Sequence, residues 1–174
     1  MILTGSEIGR QVSAGRIRID PFDERQLTTN SYDLRLGNTY LRYTSPLIDV
    51  REKADYELAE IPTSGLHLER GAFVLAETFE RIGSDHFVPL IHAKSGTARA
   101  GLFAHVTADL IDIGSFGKST LQLYATLPVR VYPGMLIAQV TFWKPLGDIK
   151  LYDGKYQGSS GPMPSLTYRD YEGL

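Results

Sequence analysis

A series of short apolar strands, interrupted by Gly and Pro, is the feature that most constrains the fold. Within residues 119–143 an alternating pattern passes through Leu121, Leu123, Ala125 and Leu127. The chain then turns at Tyr132-Pro133-Gly134 and continues as a second β-rich stretch from Ile137 to Trp143. A period of two is typical of strands, and Pro-Gly is typical of turns. The segment therefore predicts strands on either side of a turn.

Three further segments carry strand signals, and they are residues 31–37, 73–82 and 87–93. The first is predicted to end at Gly37, and Gly83-Ser84-Asp85 separates the other two. Short strands at spacings of about ten residues, with no βαβ unit of about 30 residues, are typical of a mainly β fold. A sandwich, a jelly roll or a barrel is expected.

One short helix is predicted at the N-terminus. Thr4 and Glu7 form a capping-box pair, and Gly15 is a stop signal. With apolar residues four apart on one face, these signals predict an amphipathic helix over residues 5–14.

The whole chain, residues 1–174, is predicted to form a single domain that is large enough for a real core. Its last part, residues 154–174, reads GKYQGSSGPMPSLTYRDYEGL and is rich in Gly, Ser, Pro and Tyr. Such a segment cannot form a core of its own. We therefore expect a flexible tail, which is either disordered or ordered by a ligand or a neighbouring subunit.

Composition excludes several classes of protein. The chain has 18 Lys and Arg and 20 Asp and Glu, a net charge of −2, so a nucleic-acid partner is not expected. It has no cysteine, which excludes disulfides and thiolate-bound zinc, and its four histidines show no metal-ligand spacing. The N-terminal stretch MILTGSEIGR lacks the features of a signal peptide, and no apolar run is long enough for a membrane span. A cytoplasmic enzyme or binding domain with no membrane association is expected.

The segment HAKSGTARAGL, residues 92–102, concentrates groups that suit an anion. Two cations, two hydroxyls and a glycine stand together there, as Lys94, Ser95, Gly96, Thr97 and Arg99. They suit an anion with several oxygens, such as a polyphosphate. The same letters would also make a solvated turn.

Asp112 and Gln122 are two further candidates. Asp112 stands at a strand-to-turn junction, where it either acts in a site or caps the turn. Gln122 shares one strand face with Thr120 and Tyr124, because Leu121 and Leu123 occupy the other face. That polar row either faces solvent or lines a pocket.

The order and spacing of seven stretches are informative beyond any one of them. They are MILTGSEI, GRIRIDPF, NSYDLRLG, AKSGTARAGL, HVTADLIDIGSFGK, VYPGMLIAQVTF and GKYQGSSGPMPS. Taken together they resemble the dCTP deaminase family, part of the trimeric dUTPase-like superfamily. The resemblance implies a distorted β-barrel or jelly roll, a homotrimer with active sites between subunits, and a tail that closes over a bound triphosphate. The implied substrate is a pyrimidine deoxynucleoside triphosphate, and the implied reaction is hydrolytic deamination of dCTP to dUTP and ammonia.

The resemblance also implies roles for individual residues. Lys94, Ser95, Gly96 and Arg99 match a phosphate- and water-binding motif, R-S-S-x-x-R. The backbone of Ala108 matches a group that holds the attacking water, and Asp112 matches an aspartate that binds the deoxyribose 3′-hydroxyl. Residues near the sugar and phosphates are implied at Tyr152, Lys155 and Tyr156. Mg²⁺ is implied to accompany the triphosphate, and zinc is not expected, since zinc deaminases need a Cys-containing site.

The chain departs from the family pattern at several positions. Gln122 stands where deaminating members carry a glutamate that takes a proton from water. A Gln amide can hydrogen-bond the base but cannot act as a general base near neutral pH. Lys94 replaces an arginine, Gly96 replaces a serine, Ser159 stands where a glutamine is usual, and Leu110 lacks a positive charge found in many members. With Gln122, Arg99, Ser95 and Ala108 as the catalytic candidates, three functions stay open: dCTP deamination, a dUTP diphosphatase activity, and nucleotide binding without catalysis.

Overall fold

The computed structural model describes residues 1–105 and 107–173. Val106, inside one quoted motif, and Leu174, the last residue of the predicted tail, lie outside the described residues. The fold is mainly β. The strands in chain order are β1 (Arg18–Asp20), β2 (Tyr32–Tyr43), β3 (Tyr56–Glu60), β4 (Leu66–Leu68), β5 (Phe73–Gly83), β6 (Val88–Ala93), β7 (Leu102–Phe103), β8 (Phe116–Ala125), β9 (Val129–Val131) and β10 (Leu136–Trp143). Short 3₁₀ helices cover Glu24–Gln26 and Thr167–Tyr171.

One large antiparallel sheet organises the molecule. Its strands are ordered β6-β10-β2-β5-β8-β7, with β1 added beside β5 and β3 added beside β2. Strands β4 and β9 form a separate two-stranded sheet. Irregular register between β2 and β10, β2 and β5, and β5 and β8 bends these strands, as bulges do in curved sheets. The sheet thus wraps around one core as a distorted barrel, which confirms the predicted fold class.

Strand β8 shows how the alternating pattern builds that core. Leu121, Leu123 and Ala125 are each 0% exposed, as their inward positions predict. Leu127, predicted to continue the alternation, is 54% exposed, so that part of the prediction is wrong. The strand ends at Ala125 because the N–H of Thr126 donates to the carbonyl of Gly101 at 2.8 Å, and Pro128 follows without an N–H to give.

Gly37 lies inside β2 and does not end the strand as predicted. A Cβ at this position would lie 2.3 Å from Cγ of Glu77 on the neighbouring strand β5. The glycine therefore allows Glu77 to cross closely over the backbone of β2, next to the irregular register between these two strands. The strand continues to Tyr43.

Helix α1 (Gly5–Ser13) confirms the predicted N-terminal helix and ends one residue earlier than expected. The hydroxyl of Thr4 accepts from the N–H of Glu7 at 3.4 Å, which is one half of a capping box. The Glu7 carboxylate binds the side chains of Arg10 and Gln11 instead of returning to the cap. Gly15 follows with a φ of +70°, which favours glycine and stops the helix.

The tail lies against β8 of its own chain. The N–H of Gly158 donates to the carbonyl of Phe116 at 3.2 Å, and the N–H of Lys118 donates to the carbonyl of Ser159 at 2.8 Å. A Cβ at Gly117 would lie 2.7 Å from that Ser159 oxygen, so a glycine is needed where the tail approaches. These backbone hydrogen bonds hold the segment against the strand. Its mobility without a ligand stays a prediction.

Membrane-spanning helices were not found in the described part of the chain, where no helix has the length and apolar character that a span requires.

Candidate active site

A cavity of about 460 Å³ opens between β8, the loop that precedes it and the tail. This volume is in the range of small-molecule sites. Lys118, Thr120 and Gln122 form one wall, and they are alternate residues of β8 that share a face. The polar row that the sequence left open therefore lines a pocket. Tyr124, the next residue of the row, is instead exposed and packs against Phe103, with ring centroids 6.2 Å apart.

Apolar side chains form a second wall beside Gln122. Leu75 of β5 is paired directly with Gln122 of β8, and Phe73 is two residues away on the same face. Ile91 of β6 also lines the cavity and is 1% exposed. An apolar wall next to a side-chain amide suits a flat ring that carries hydrogen-bonding groups at its edge.

His105 and Ala108 lie together in the loop before β8, and both line the cavity. Nε2 of His105 hydrogen-bonds the carbonyl oxygen of Ala108. Because a carbonyl only accepts, this contact assigns the proton to Nε2 and leaves Nδ1 as an acceptor, which is buried and has no partner among the described atoms. Burial lowers the pKa of His105, so the ring is kept neutral. The neutral ring fixes the carbonyl of Ala108.

Asp112 contributes the one carboxylate among the described lining residues of this cavity. Its backbone carbonyl accepts from the N–H of Ser115 at 3.1 Å, which closes the turn that leads into β8. The side chain itself is exposed. Asp112 thus shapes the turn with its backbone and offers its carboxylate to the cavity, so the two roles left open by the sequence are compatible.

Tail residues complete the enclosure. The hydroxyl of Tyr152 accepts from the N–H of Tyr156 at 3.1 Å, and the hydroxyl of Tyr156 accepts from the N–H of Leu166 at 2.9 Å. Both tyrosines and Ser159 line the cavity. The hydroxyl of Thr120 accepts from the N–H of Met163 at 3.0 Å, which fastens the tail across β8. The tail is therefore part of the wall.

The predicted phosphate segment lies elsewhere. Residues Ser95–Arg99 form a short helix, α2, with Lys94 at its N-cap, and none of these residues lines the cavity of the same chain. Nζ of Lys94 hydrogen-bonds the carboxylate of Asp33 on β2. The side chains of Ser95 and Arg99 are exposed, as is Gly96. Within one chain the structure therefore does not bring this segment to Gln122.

Lys155 also stays outside the cavity lining. Its Nζ donates to the carboxylate of Asp170 at 2.5 Å, and this hydrogen bond raises the pKa of the lysine. The ammonium lies 5.9 Å from the centroid of the Tyr156 ring. The tail thus uses its predicted phosphate ligand to bind its own end.

Lys118 is one of the lining residues that the sequence analysis missed. The signal was present, because Lys118 has the same parity as Thr120 and Gln122 along β8. His105, Phe73 and Leu75 were missed as well, since they reach the cavity from other segments. For metal ions, no group of three or more His, Asp or Glu residues that could hold one occurs within residues 1–105 and 107–173.

Comparisons with known proteins identify the family to which the chain belongs. A family model described as dCTP deaminase-like matches residues 2–145. The "dCTP deaminase, dUMP-forming" of Clostridium beijerinckii is 40% identical over 173 residues, covering 99% of each chain. The protein of the same name from Cytophaga hutchinsonii is likewise 40% identical over 173 residues, 99% of each chain. The chain belongs to the dCTP deaminase-like family, and the prediction of a hydrolytic enzyme family is confirmed.

A solved structure supports the fold independently of these sequence matches. The 2′-deoxycytidine 5′-triphosphate deaminase from Agrobacterium tumefaciens superimposes with a TM-score of 0.64 at 22% identity. The match covers 81% of this chain and 47% of that chain, so the present chain spans about half the length of that structure. The barrel fold is therefore shared with that deaminase structure.

Proposed function

We propose that the protein hydrolyses dCTP in this cavity and forms dUMP, ammonia and pyrophosphate. The observation that carries the proposal is the meeting of Gln122, Ala108 and Asp112 in one cavity, closed by tail residues Tyr152 and Tyr156. Relatives that are 40% identical over the whole chain are named dUMP-forming dCTP deaminases. The product in this proposal is therefore dUMP and not the dUTP that the sequence resemblance implies.

The proposed reaction consumes two water molecules. One water adds to the ring carbon that bears the amino group, and one of its protons goes to the adjacent ring nitrogen. The other proton goes to the amino group, the carbon–nitrogen bond breaks, ammonia leaves, and the carbon keeps the water oxygen as a carbonyl. A second water attacks the α-phosphorus, the bond between the α- and β-phosphates breaks, and pyrophosphate leaves. The apolar wall at Leu75 and Phe73 would hold the base, and the Ala108 carbonyl would orient the first water. Asp112 would bind the 3′-hydroxyl of the sugar.

A second candidate function follows from the chemistry of residue 122. Gln122 replaces the expected glutamate, and an amide does not accept a proton near neutral pH. Asp112 supplies a carboxylate in the same cavity. Release of pyrophosphate from dUTP would therefore survive a loss of deamination, which makes a dUTP diphosphatase the alternative. The third candidate function is nucleotide binding without deamination and without pyrophosphate release.

The proposal includes a homotrimer in the cytoplasm. Since Ser95 and Arg99 lie outside the cavity of their own chain, a neighbouring copy is the source of these groups for each site. Mg²⁺ would be carried by the substrate's phosphate oxygens, which are ligands that this ion prefers. Among the described residues, no group of three or more His, Asp or Glu side chains could bind the ion directly.

Separate assays for the two leaving groups test the proposal. The protein is incubated with Mg²⁺ and dCTP, dUTP or dCMP, and ammonia and pyrophosphate are followed independently. We expect both products from dCTP. Pyrophosphate from dUTP without ammonia from dCTP would favour the diphosphatase, and binding without either product would favour a non-catalytic homologue.

A further inference from the structure

Lys118 stands in the cavity wall without a role in the functions considered so far. It lies on the same face of β8 as Thr120 and Gln122, and its side chain is 23% exposed. It is the one lysine or arginine among the described residues that line this cavity. A cation that is mostly buried is costly unless it is paired, so the partners of Lys118 indicate its role.

A buried carboxylate holds Lys118 in place. Nζ of Lys118 lies 3.1 Å from Oε1 of Glu77, whose side chain is 3% exposed. Glu77 sits on β5 opposite Thr120, over Gly37 of β2, and does not line the cavity. Lys118 therefore contributes to the cavity wall, whereas its carboxylate partner does not. Because Glu77 is fixed by its burial, the position of the ammonium is fixed before any ligand binds.

Lys118 keeps unused hydrogen-bonding capacity beside the cavity. An ammonium has three donors, and Glu77 is its single partner within the described part of the chain. The hydroxyls of Ser115 and Ser119 line the same cavity and have no side-chain partner among the described residues. One cation with unused donors and two unengaged hydroxyls suit an anion with several oxygens.

The position along β8 indicates which part of a nucleotide reaches Lys118. Four residues of strand separate it from Gln122, roughly 13 Å between Cα atoms. That exceeds the width of a pyrimidine ring, so a base held at Gln122 cannot also occupy the space at Lys118. The two predicted phosphate ligands that are lysines are engaged elsewhere, Lys94 with Asp33 and Lys155 with Asp170.

We propose that Lys118, oriented by Glu77, is a further substrate-binding residue that donates to a phosphate oxygen of the bound nucleotide. The inference rests on the proposed function for the identity of the nucleotide. It predicts that this chain carries a phosphate-binding cation on the cavity strand itself, in addition to any cation supplied by α2.

The test compares a nucleotide with its nucleoside part and its phosphate part. Lys118→Gln alone would leave Glu77 buried without its cation, so the paired variant Lys118→Gln/Glu77→Gln is measured beside it. Lys118→Arg keeps the charge, and Lys144→Gln removes an exposed lysine outside the cavity as the matched control. Calorimetry gives the dissociation constants for dCTP, deoxycytidine and inorganic tripolyphosphate, and thermal unfolding verifies that each variant is folded.

We expect the paired variant to weaken dCTP and tripolyphosphate by about 10- to 100-fold, while deoxycytidine is unchanged. Lys118→Arg should recover most of the affinity, and Lys144→Gln should behave as the parent. Equal weakening of dCTP and deoxycytidine, or unchanged dCTP binding in a folded paired variant, overturns the inference. If the parent releases neither ammonia nor pyrophosphate from dCTP while the tripolyphosphate effect persists, the proposed function fails and the role of Lys118 stands.

Discussion

Strand β8 and helix α2 carry the two halves of the expected site, and the chain treats them differently. The β8 half is assembled within one chain, because strand register sets Gln122 beside Leu75 and the tail closes the cavity over Thr120. The α2 half lies outside that cavity, with Ser95 and Arg99 exposed and Lys94 bound to Asp33. Under the proposed function, one chain would complete the side that holds the base and the sugar, whereas the phosphate-binding groups of α2 would come from a neighbouring copy.

The largest effect is expected on the β8 side. Gln122→Glu restores an acceptor that can take a proton from water, and general acid–base catalysis contributes about 10²–10⁴-fold. We expect ammonia release from dCTP to rise by about that factor with little change in folding, provided that a cation keeps the new carboxylate charged. Gln122→Ala is the matched control, since it empties the position. A folded Gln122→Glu variant that binds dCTP without releasing more ammonia would mean that the α2 half is deficient as well.

The next effect is expected on the α2 side. Arg99→Ala removes an exposed guanidinium that hydrogen-bonds nothing within the described residues, so the fold should be unaffected. We expect the dissociation constant for dCTP to increase by about 10- to 100-fold, the range for lost hydrogen bonds to charged groups. Arg70→Ala, at another exposed arginine, serves as the control. Unchanged affinity in the Arg99 variant would remove α2 from the site.

Mixed assemblies test directly whether the two halves belong to different chains. Arg99→Ala and Asp112→Ala each damage one half, so each homotrimer should be impaired. When the two proteins are unfolded, mixed in equal amounts and refolded, random assembly leaves about a quarter of the sites with both halves intact. We expect that fraction of the parent's activity or nucleotide-binding capacity to return. Failure of the mixture to exceed the single variants, with mixed trimers verified by mass spectrometry, would place both halves in one chain.

The smallest effect concerns the loop that presents Ala108. Burial lowers the pKa of His105 below its ordinary value of 6.5, so an unfolded chain takes up the proton first as the pH falls. The contribution of His105 to the free energy of unfolding should therefore be fully present above pH 6.5. Below pH 6.5 the free energy of unfolding should decrease as the pH falls, until the pH is below the lowered pKa of the folded state. Urea unfolding at a series of pH values measures the slope. His105→Gln should flatten it, whereas His86→Gln, at an exposed histidine, should not.

Strand parity explains what the sequence revealed. The alternation in β8 predicted the buried positions of Leu121 and Leu123 and the polar face of Gln122, because period two follows from local backbone geometry. Strand β3 (Tyr56–Glu60) was missed, since it is an edge strand with no buried residue and therefore shows no pattern. Strands of three residues, such as β4 and β9, are too short to show an alternating pattern.

Contacts between strands explain what the sequence concealed. The pair of Glu77 and Lys118 depends on the irregular register between β5 and β8, where Glu77 pairs with Thr120 but Arg81 pairs with Lys118. The sequence of either strand alone does not reveal this shift in register. The bond between Lys94 and Asp33 joins residues 61 positions apart, so it could not be found from either motif. Residue types were thus predictable, and their partners were not.

The hydrogen bonds between the tail and β8 also bear on the tendency of the chain to aggregate. Among the described residues, β7 pairs with β8 at Tyr124 and Ala125, far from the start of the strand. At Phe116 and Lys118 it is the tail that covers the outer edge of β8. An uncovered strand edge is a template for intermolecular pairing and aggregation. The tail therefore protects this strand edge in addition to lining the cavity. We expect a chain truncated before Gly154 to aggregate more readily.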